Sequence, residues 1–169
     1  MSVTVRPVTV DDAARLAEVL RANREFLAPW DPIRDDGFFT EDGQRELIRS
    51  AVDSPSSGPH VIELDGRVVG RVNLNNVVRG PFQSSSIGYW VSREANGRGV
   101  ATAAVAQIVR IAFEELGLHR LEAGTLLHNT ASQRVLERNG FTRFGLAPKY
   151  LCIAGRWQDH VLFQRINEG

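Results

Sequence analysis

Val91-Ser92-Arg93-Glu94-Ala95-Asn96-Gly97-Arg98-Gly99-Val100-Ala101 is the stretch that decides how this chain is read. Residues 86–92 alternate Ile87, Tyr89 and Val91 against Gly88, Trp90 and Ser92, the period of a strand. Beyond the glycines the period changes. Val100, Ala101, Ala104, Val105, Ile108, Ile111 and Ala112 fall on one face of a long helix ending near Leu116-Gly117. A strand therefore runs into a glycine-punctuated loop that opens a helix. Gly97 and Gly99 allow a sharp turn and close approach of successive N–H groups to a ligand. The first N–H groups of the helix lack intrahelical partners and sit at its positive dipole end. Together they form a cradle for a pyrophosphate, with Arg98 as an added cation.

Other readings of the loop fit less well. A P-loop would end in Gly-Lys-Ser/Thr, whereas Gly99-Val100-Ala101 stands here. A dinucleotide-binding turn would want a third Gly or Ala where Thr102 lies, and would open a repeated βαβ unit. A merely tight strand–helix connection stays open on the loop alone.

Working outward, residues 61–64 and 67–75 are β-branched runs joined by Asp65-Gly66, a hairpin signal. Residues 3–6 make a short first strand. Thr9 with Asp12 resembles a capping box ahead of a helix over 11–21, whose face is Ala13, Leu16, Ala17 and Leu20. Residues 26–40 read as an ordered loop or short helix. A second helix over 41–52 presents Leu47, Ile48 and Ala51. Downstream, 121–127 is a strand, and 130–138 a helix ended by Asn139-Gly140. Runs 150–154 and 157–165 flank a turn at Gly155. The order is that of a mixed α/β domain: helices, an antiparallel meander, strand–helix–strand–helix and a closing hairpin.

Composition bounds the rest. The 169 residues fit one domain, which can bury roughly 70 % of its unfolded surface. Twenty basic residues balance twenty acidic ones, so the cation surplus of a non-specific nucleic-acid binder is missing. No run of about 18 apolar residues predicts a membrane span, and the start of the chain lacks a signal-peptide layout, so a cytoplasmic location is expected. Cys152, the sole cysteine, lies in an apolar run and is expected to be a buried small hydrophobe. His60, His119, His128 and His160 lack metal-ligand spacing, so no metal is expected.

The loop resembles the acetyl-coenzyme A loop of the GNAT superfamily, Gln/Arg-x-x-Gly-x-Gly/Ala. Residues 96–101 match it except at the first position, where the shorter Asn96 stands. Asn129-Thr130-Ala131-Ser132, Leu136 and Asn139-Gly140-Phe141 resemble the family's second element, Asn-x-x-Ser…Gly-Phe. The stretch from Asn23 through Trp30 and Arg34 to Asp35 looks like the signature of the RimJ/RimL group, nearest its RimJ members. So do 76–80, Tyr150-Leu151 and Gly155-Arg156-Trp157-Gln158-Asp159-His160.

The resemblance implies a GNAT fold, its central, mostly antiparallel sheet splayed between the fourth and fifth strands and flanked by helices. It implies an acetyl-CoA co-substrate held by Val91, Asn96, Gly97, Arg98, Gly99, Val100, Ala101 and Asn129. The acceptor is a ribosomal protein's N-terminal alanine or, alternatively, a small-molecule amine. A non-catalytic coenzyme-binding module is the third reading. Monomer and homodimer both stay open. In this family the amine attacks the thioester directly, Val91 pairs its backbone with the pantetheine arm, and Ser132 hydrogen-bonds the departing sulfur. Trp30, Arg34, Tyr89 and Tyr150 are the acceptor-contact candidates. Tyr89 and Trp90 adjoin on one strand, so only one is expected to line a given cleft. The base is open: Lys149 stands where relatives often carry an acid, leaving Asp159, His160, a water chain or no strong base. An α-amine, with a pKa of about 7.7–8.0, needs less help than a lysine at roughly 10.4.

Overall fold

A computed structural model describes residues 1–169. Its strands are β1 (Val3–Pro7), β2 (Gly58–Leu64), β3 (Arg67–Val78), β4 (Ser84–Val91), β5 (Arg120–Leu126), β6 (Thr142–Ile153) and β7 (Arg156–Ile166). Its helices are α1 (Ala13–Ala22), α2 (Arg24–Leu27), α3 (Glu41–Asp53), α4 (Val100–Arg110) and α5 (Thr130–Arg138). All seven strands join one sheet in the order β1-β2-β3-β4-β5-β7-β6. Every neighbouring pair is antiparallel except β4 and β5, which α4 connects. Those two pair only at Ser84–Ser86 against Arg120–Glu122 and then part. The sheet is thus splayed between its fourth and fifth strands, as the resemblance implies.

The two faces of the sheet have different covers. Val72, Leu74, Ile87, Leu121 and Phe163 pack with Ala104, Val105 and Ile108 of α4 in the main core. On the other face Val61 and Val68 meet Leu16 of α1 and Ile48 of α3. The predicted face of α1 is buried throughout. That of α3 is corrected: Gln44 and Ile48, one turn apart, point inward, whereas Leu47 is exposed. Gln44 is tolerated inside because its amide donates to the Phe38 carbonyl at 2.6 Å.

Residues 26–40 become α2, two 3₁₀ turns and extended links. The long helix is α-helical to Arg110, widens into a π turn over Ile111–Glu115, and ends where Gly117 takes a φ of 66°. The last hairpin is longer than 150–154 suggested, because β6 starts at Thr142 and slips register twice against β7, near Gly145 and between Ala147 and Leu151. Such bulges break the alternation by which a strand is recognised. Cys152, expected to be buried, is exposed, since β6 is an edge strand.

Asp12 ties the N-terminal elements together. Its carboxylate accepts the Thr9 N–H at 2.9 Å and pairs with both Nη atoms of Arg6 at 2.8 and 2.9 Å. Burial alone would raise its pKa, but the Arg6 hydrogen bond, the Thr9 amide and the charges of Arg6 and Arg71 hold it below its usual 3.8. A lowered folded pKa stabilises the fold above the unfolded value and ceases to do so as pH falls through the folded one. Asp12→Ala is therefore expected to cost roughly 2 kcal/mol at neutral pH. In denaturant melts the gap between wild type and variant should close below about pH 4.

Candidate active site

The splay exposes one edge of β4. Ser92 N–H is bonded to the Val69 carbonyl on the β3 side at 2.8 Å. Because hydrogen-bonding groups alternate along a strand, those of Tyr89 and Val91 point to the β5 side, where pairing has stopped. The loop then leaves β4 through a 3₁₀ turn, Arg93–Ala95, fixed from outside by buried Asn23. Its Oδ1 accepts the Arg93 N–H at 2.8 Å, which gives a physical reason for that residue in the N-terminal signature.

Gly97 (φ 74°) and Gly99 (φ 79°) are both left-handed, a conformation costing other residues roughly 1–2 kcal/mol. A Cβ built on either meets no protein atom within 4 Å, so the glycines face open space. Gly99 caps α4, and the first N–H to turn back to it is that of Ala103, at 3.0 Å. The N–H groups of Val100, Ala101 and Thr102 precede that first bond and lack helical partners. They border an open cavity of about 230 Å³ lined by Val91, Asn96, Gly97, Gly99, Val100 and Ala101.

Across this cavity stand Arg134 and Arg138 of α5. They place two positive charges on its far wall, and the sequence alone did not point to them. Their signal was the one-turn spacing on the helix that follows Asn129. Arg98, expected to supply that charge, is exposed and does not line the cavity. Asn129 does not line it either. It is the N-cap of α5, its Oδ1 accepting the Ser132 N–H at 3.2 Å. Asn139 braces α5 to the cradle by donating to the Thr102 carbonyl at 3.2 Å.

Ser132 occupies the first turn of α5, its Oγ 2.6 Å from the Tyr89 hydroxyl. Burial pushes the Tyr89 pKa up to about 12, more than the Ser132 hydrogen bond lowers it, so Tyr89 stays protonated at neutral pH. Tyr89 also borders a second cavity of about 270 Å³, with Trp30, Arg34, Asn73 and Trp90. Tyr89 and Trp90 thus share one cavity, contrary to the strand-alternation expectation. Residues 24–40 cover it. Trp30 rests against His128 at 5.3 Å between ring centres, and the Asp31 carbonyl accepts the Ala154 N–H at 2.9 Å.

The remaining candidates lie outside both cavities. Tyr150 packs its ring on buried His160, 5.5 Å between centres, and His160 Nδ1 is 2.9 Å from the Gln158 carbonyl. Asp159 accepts the backbone N–H of Lys149 at 2.8 Å, where the chain takes a φ of 46°. It fixes the β6 bulge. No group of three His, Cys, Asp or Glu is placed to hold a metal. No helix is long and apolar enough to cross a membrane.

Comparison with known proteins identifies the family. A family model described as an acetyltransferase (GNAT) domain matches residues 2–142. The protein named "Probable N-acetyltransferase YjcK" of Bacillus subtilis (strain 168) is 37 % identical over 171 residues, covering 98 % of this chain and 94 % of its own. The [Ribosomal protein uS5]-alanine N-acetyltransferase of Escherichia coli (strain K12) is 34 % identical over 163 residues, covering 94 % and 84 %. Among solved structures, Mycobacterium smegmatis RimJ in complex with CoA-disulfide superposes with a TM-score of 0.95 at 35 % identity, covering 98 % of this chain and 82 % of that one. A strand that parts from its neighbour, a glycine cradle at the helix it feeds, and relatives matched over nearly the full length place this chain in the GNAT family of acetyltransferases, within the RimJ/RimL group.

Proposed function

We propose that the chain transfers acetyl from acetyl-CoA to the N-terminal α-amine of an alanine-initiated protein, foremost a ribosomal protein, in the cytoplasm. One observation carries this reading: Tyr89 borders the acceptor cavity while its hydroxyl bonds Ser132 of α5, the helix whose Ala131, Arg134 and Arg138 line the coenzyme cavity. The two substrates would approach from either side of β4 and meet at its free edge.

The residues fit the coenzyme. Unpartnered amides of α4, left-handed glycines opening on free space, and Arg134 and Arg138 together suit a diphosphate. Bound acetyl-CoA supplies the thioester that the amine attacks. Val91 offers backbone groups to the pantetheine arm, and an N–H on that edge can hydrogen-bond the developing oxyanion. Tyr89 and Ser132 Oγ are hydrogen-bonded at 2.6 Å, and with Tyr89 as the donor the serine hydrogen is free to turn toward the sulfur that leaves. A thiol pKa of about 8.5 makes that thiolate a tolerable leaving group without a strong acid. Neither Asp159 nor His160 lines the acceptor cavity, so the neutral fraction of the α-amine serves as nucleophile. That favours an N-terminal amine over a lysine side chain.

The test is a screen of purified enzyme with acetyl-CoA against Ala- and Ser-initiated peptides, lysine-containing peptides with blocked N-termini, and small amines including spermidine. Acetylation of the Ala-initiated peptide at the highest kcat/KM is expected. Turnover of a small amine alone would refute the reading.

A further inference from the structure

Arg71 lies on β3, opposite Val61 of β2 and Trp90 of β4, and lines the acceptor cavity. Its Nε is sealed from solvent and has no hydrogen-bond partner. One Nη donates to Asn73 Oδ1 at 3.1 Å. No carboxylate pairs with it. Asp12, whose field reaches it, is held by Arg6 at 2.8 Å, and Asp31, which shares the cavity, is paired with Arg34 at 3.1 Å. Burial draws the Arg71 pKa below its ordinary value even so.

A desolvated guanidinium without a counter-charge is costly to the fold, and such groups concentrate where a ligand completes the pair. Asp31 and Arg34 cancel one another, so the cavity keeps the positive charge of Arg71 uncompensated. Asn73 spends its Oδ1 on Arg71 and on the His60 N–H, leaving its amide nitrogen as a further donor on the same wall. A planar guanidinium beside an amide donor matches a carboxylate, which can take two parallel N–H bonds. A polycation entering this cavity would meet like charge.

We infer that Arg71 is a specificity-determining residue that binds a carboxylate carried by the acceptor near its reacting amine. The enzyme then selects N-terminal peptides with an acidic side chain in the first few positions and rejects polyamines. This rests on the peptide-acetylating reading proposed above.

The experiment compares otherwise identical peptides beginning Ala-Asp and Ala-Asn, together with spermidine, on wild type, Arg71→Gln and Arg71→Lys. Wild type is expected to favour Ala-Asp by roughly 10- to 100-fold in kcat/KM, mostly through KM. Arg71→Gln erases the preference, and Arg71→Lys keeps part of it. Acetyl-CoA affinity holds in both variants, because Arg71 does not line the coenzyme cavity. Arg71→Gln melts no lower than wild type, since it removes an unpaired, half-buried charge. Calorimetry with the unreactive N-acetylated Ala-Asp peptide reads the same recognition without turnover, and its binding weakens in Arg71→Gln. Equal handling of Asp and Asn peptides by wild type, or a preference that survives Arg71→Gln, overturns the inference while leaving the peptide reading intact. Acetylation of spermidine alone refutes the peptide reading and, with it, the rejection of polyamines; binding of the acetylated acidic peptide through Arg71 in that case preserves only the carboxylate contact.

Discussion

Gly99→Trp is expected to abolish saturable acetyl-CoA binding while leaving a folded protein. The residue caps α4 at a φ of 79°, and a side chain there projects into space free of protein atoms. An indole would fill the cavity that the amides of Val100, Ala101 and Thr102 border. Losing two charge-assisted hydrogen bonds would weaken binding by roughly 100-fold or more. The cost to the fold is the left-handed strain alone, about 1–2 kcal/mol. Thermal-shift titration reads both quantities. Wild type should gain melting temperature with acetyl-CoA, while the variant should melt slightly lower and gain nothing.

Ser132→Ala should act on the other parameter. Its Oγ is held by Tyr89 and its N–H by Asn129, so the hydroxyl can be removed without disturbing the helix cap. Because the hydroxyl acts on the leaving sulfur, kcat should drop by about 100-fold with acetyl-CoA affinity nearly unchanged. Tyr89→Phe should reproduce part of that loss, since it frees Ser132 Oγ to turn. Single-turnover kinetics beside equilibrium binding separates rate from affinity. An unaltered rate in Ser132→Ala would strip the serine of any chemical role.

The strand–loop–helix at residues 86–112 was legible because its glycines, its change of period and its motif residues lie in one continuous segment. The meander and α5 were legible for the same reason. The Arg134–Arg138 pair was not, because the cradle is completed from a helix one strand further on, and only the fold brings α5 over the loop. Arg71 was hidden in a different way. In sequence it is one polar residue in an alternating strand, and its unpaired state depends on Asp12 and Asp31 being taken by Arg6 and Arg34. Pro148 and the left-handed Lys149 obscured the first half of β6. The same bulge explains Asp159: it was a candidate base because Lys149 stands where relatives often carry an acid, whereas its carboxylate is engaged with the Lys149 amide. Hydrogen bonds between distant backbone and side-chain groups leave no periodic trace.

The central claim is that bare amides between β4 and α4 take the coenzyme's diphosphate. Backbone amide NMR of the labelled protein, titrated with coenzyme A, tests it most directly. The largest saturable shifts should fall on Gly97, Gly99, Val100, Ala101 and Thr102, with smaller ones at Tyr89 and Val91. Saturable shifts that spare those amides and cluster elsewhere, or no saturable shifts in the folded protein, would contradict it.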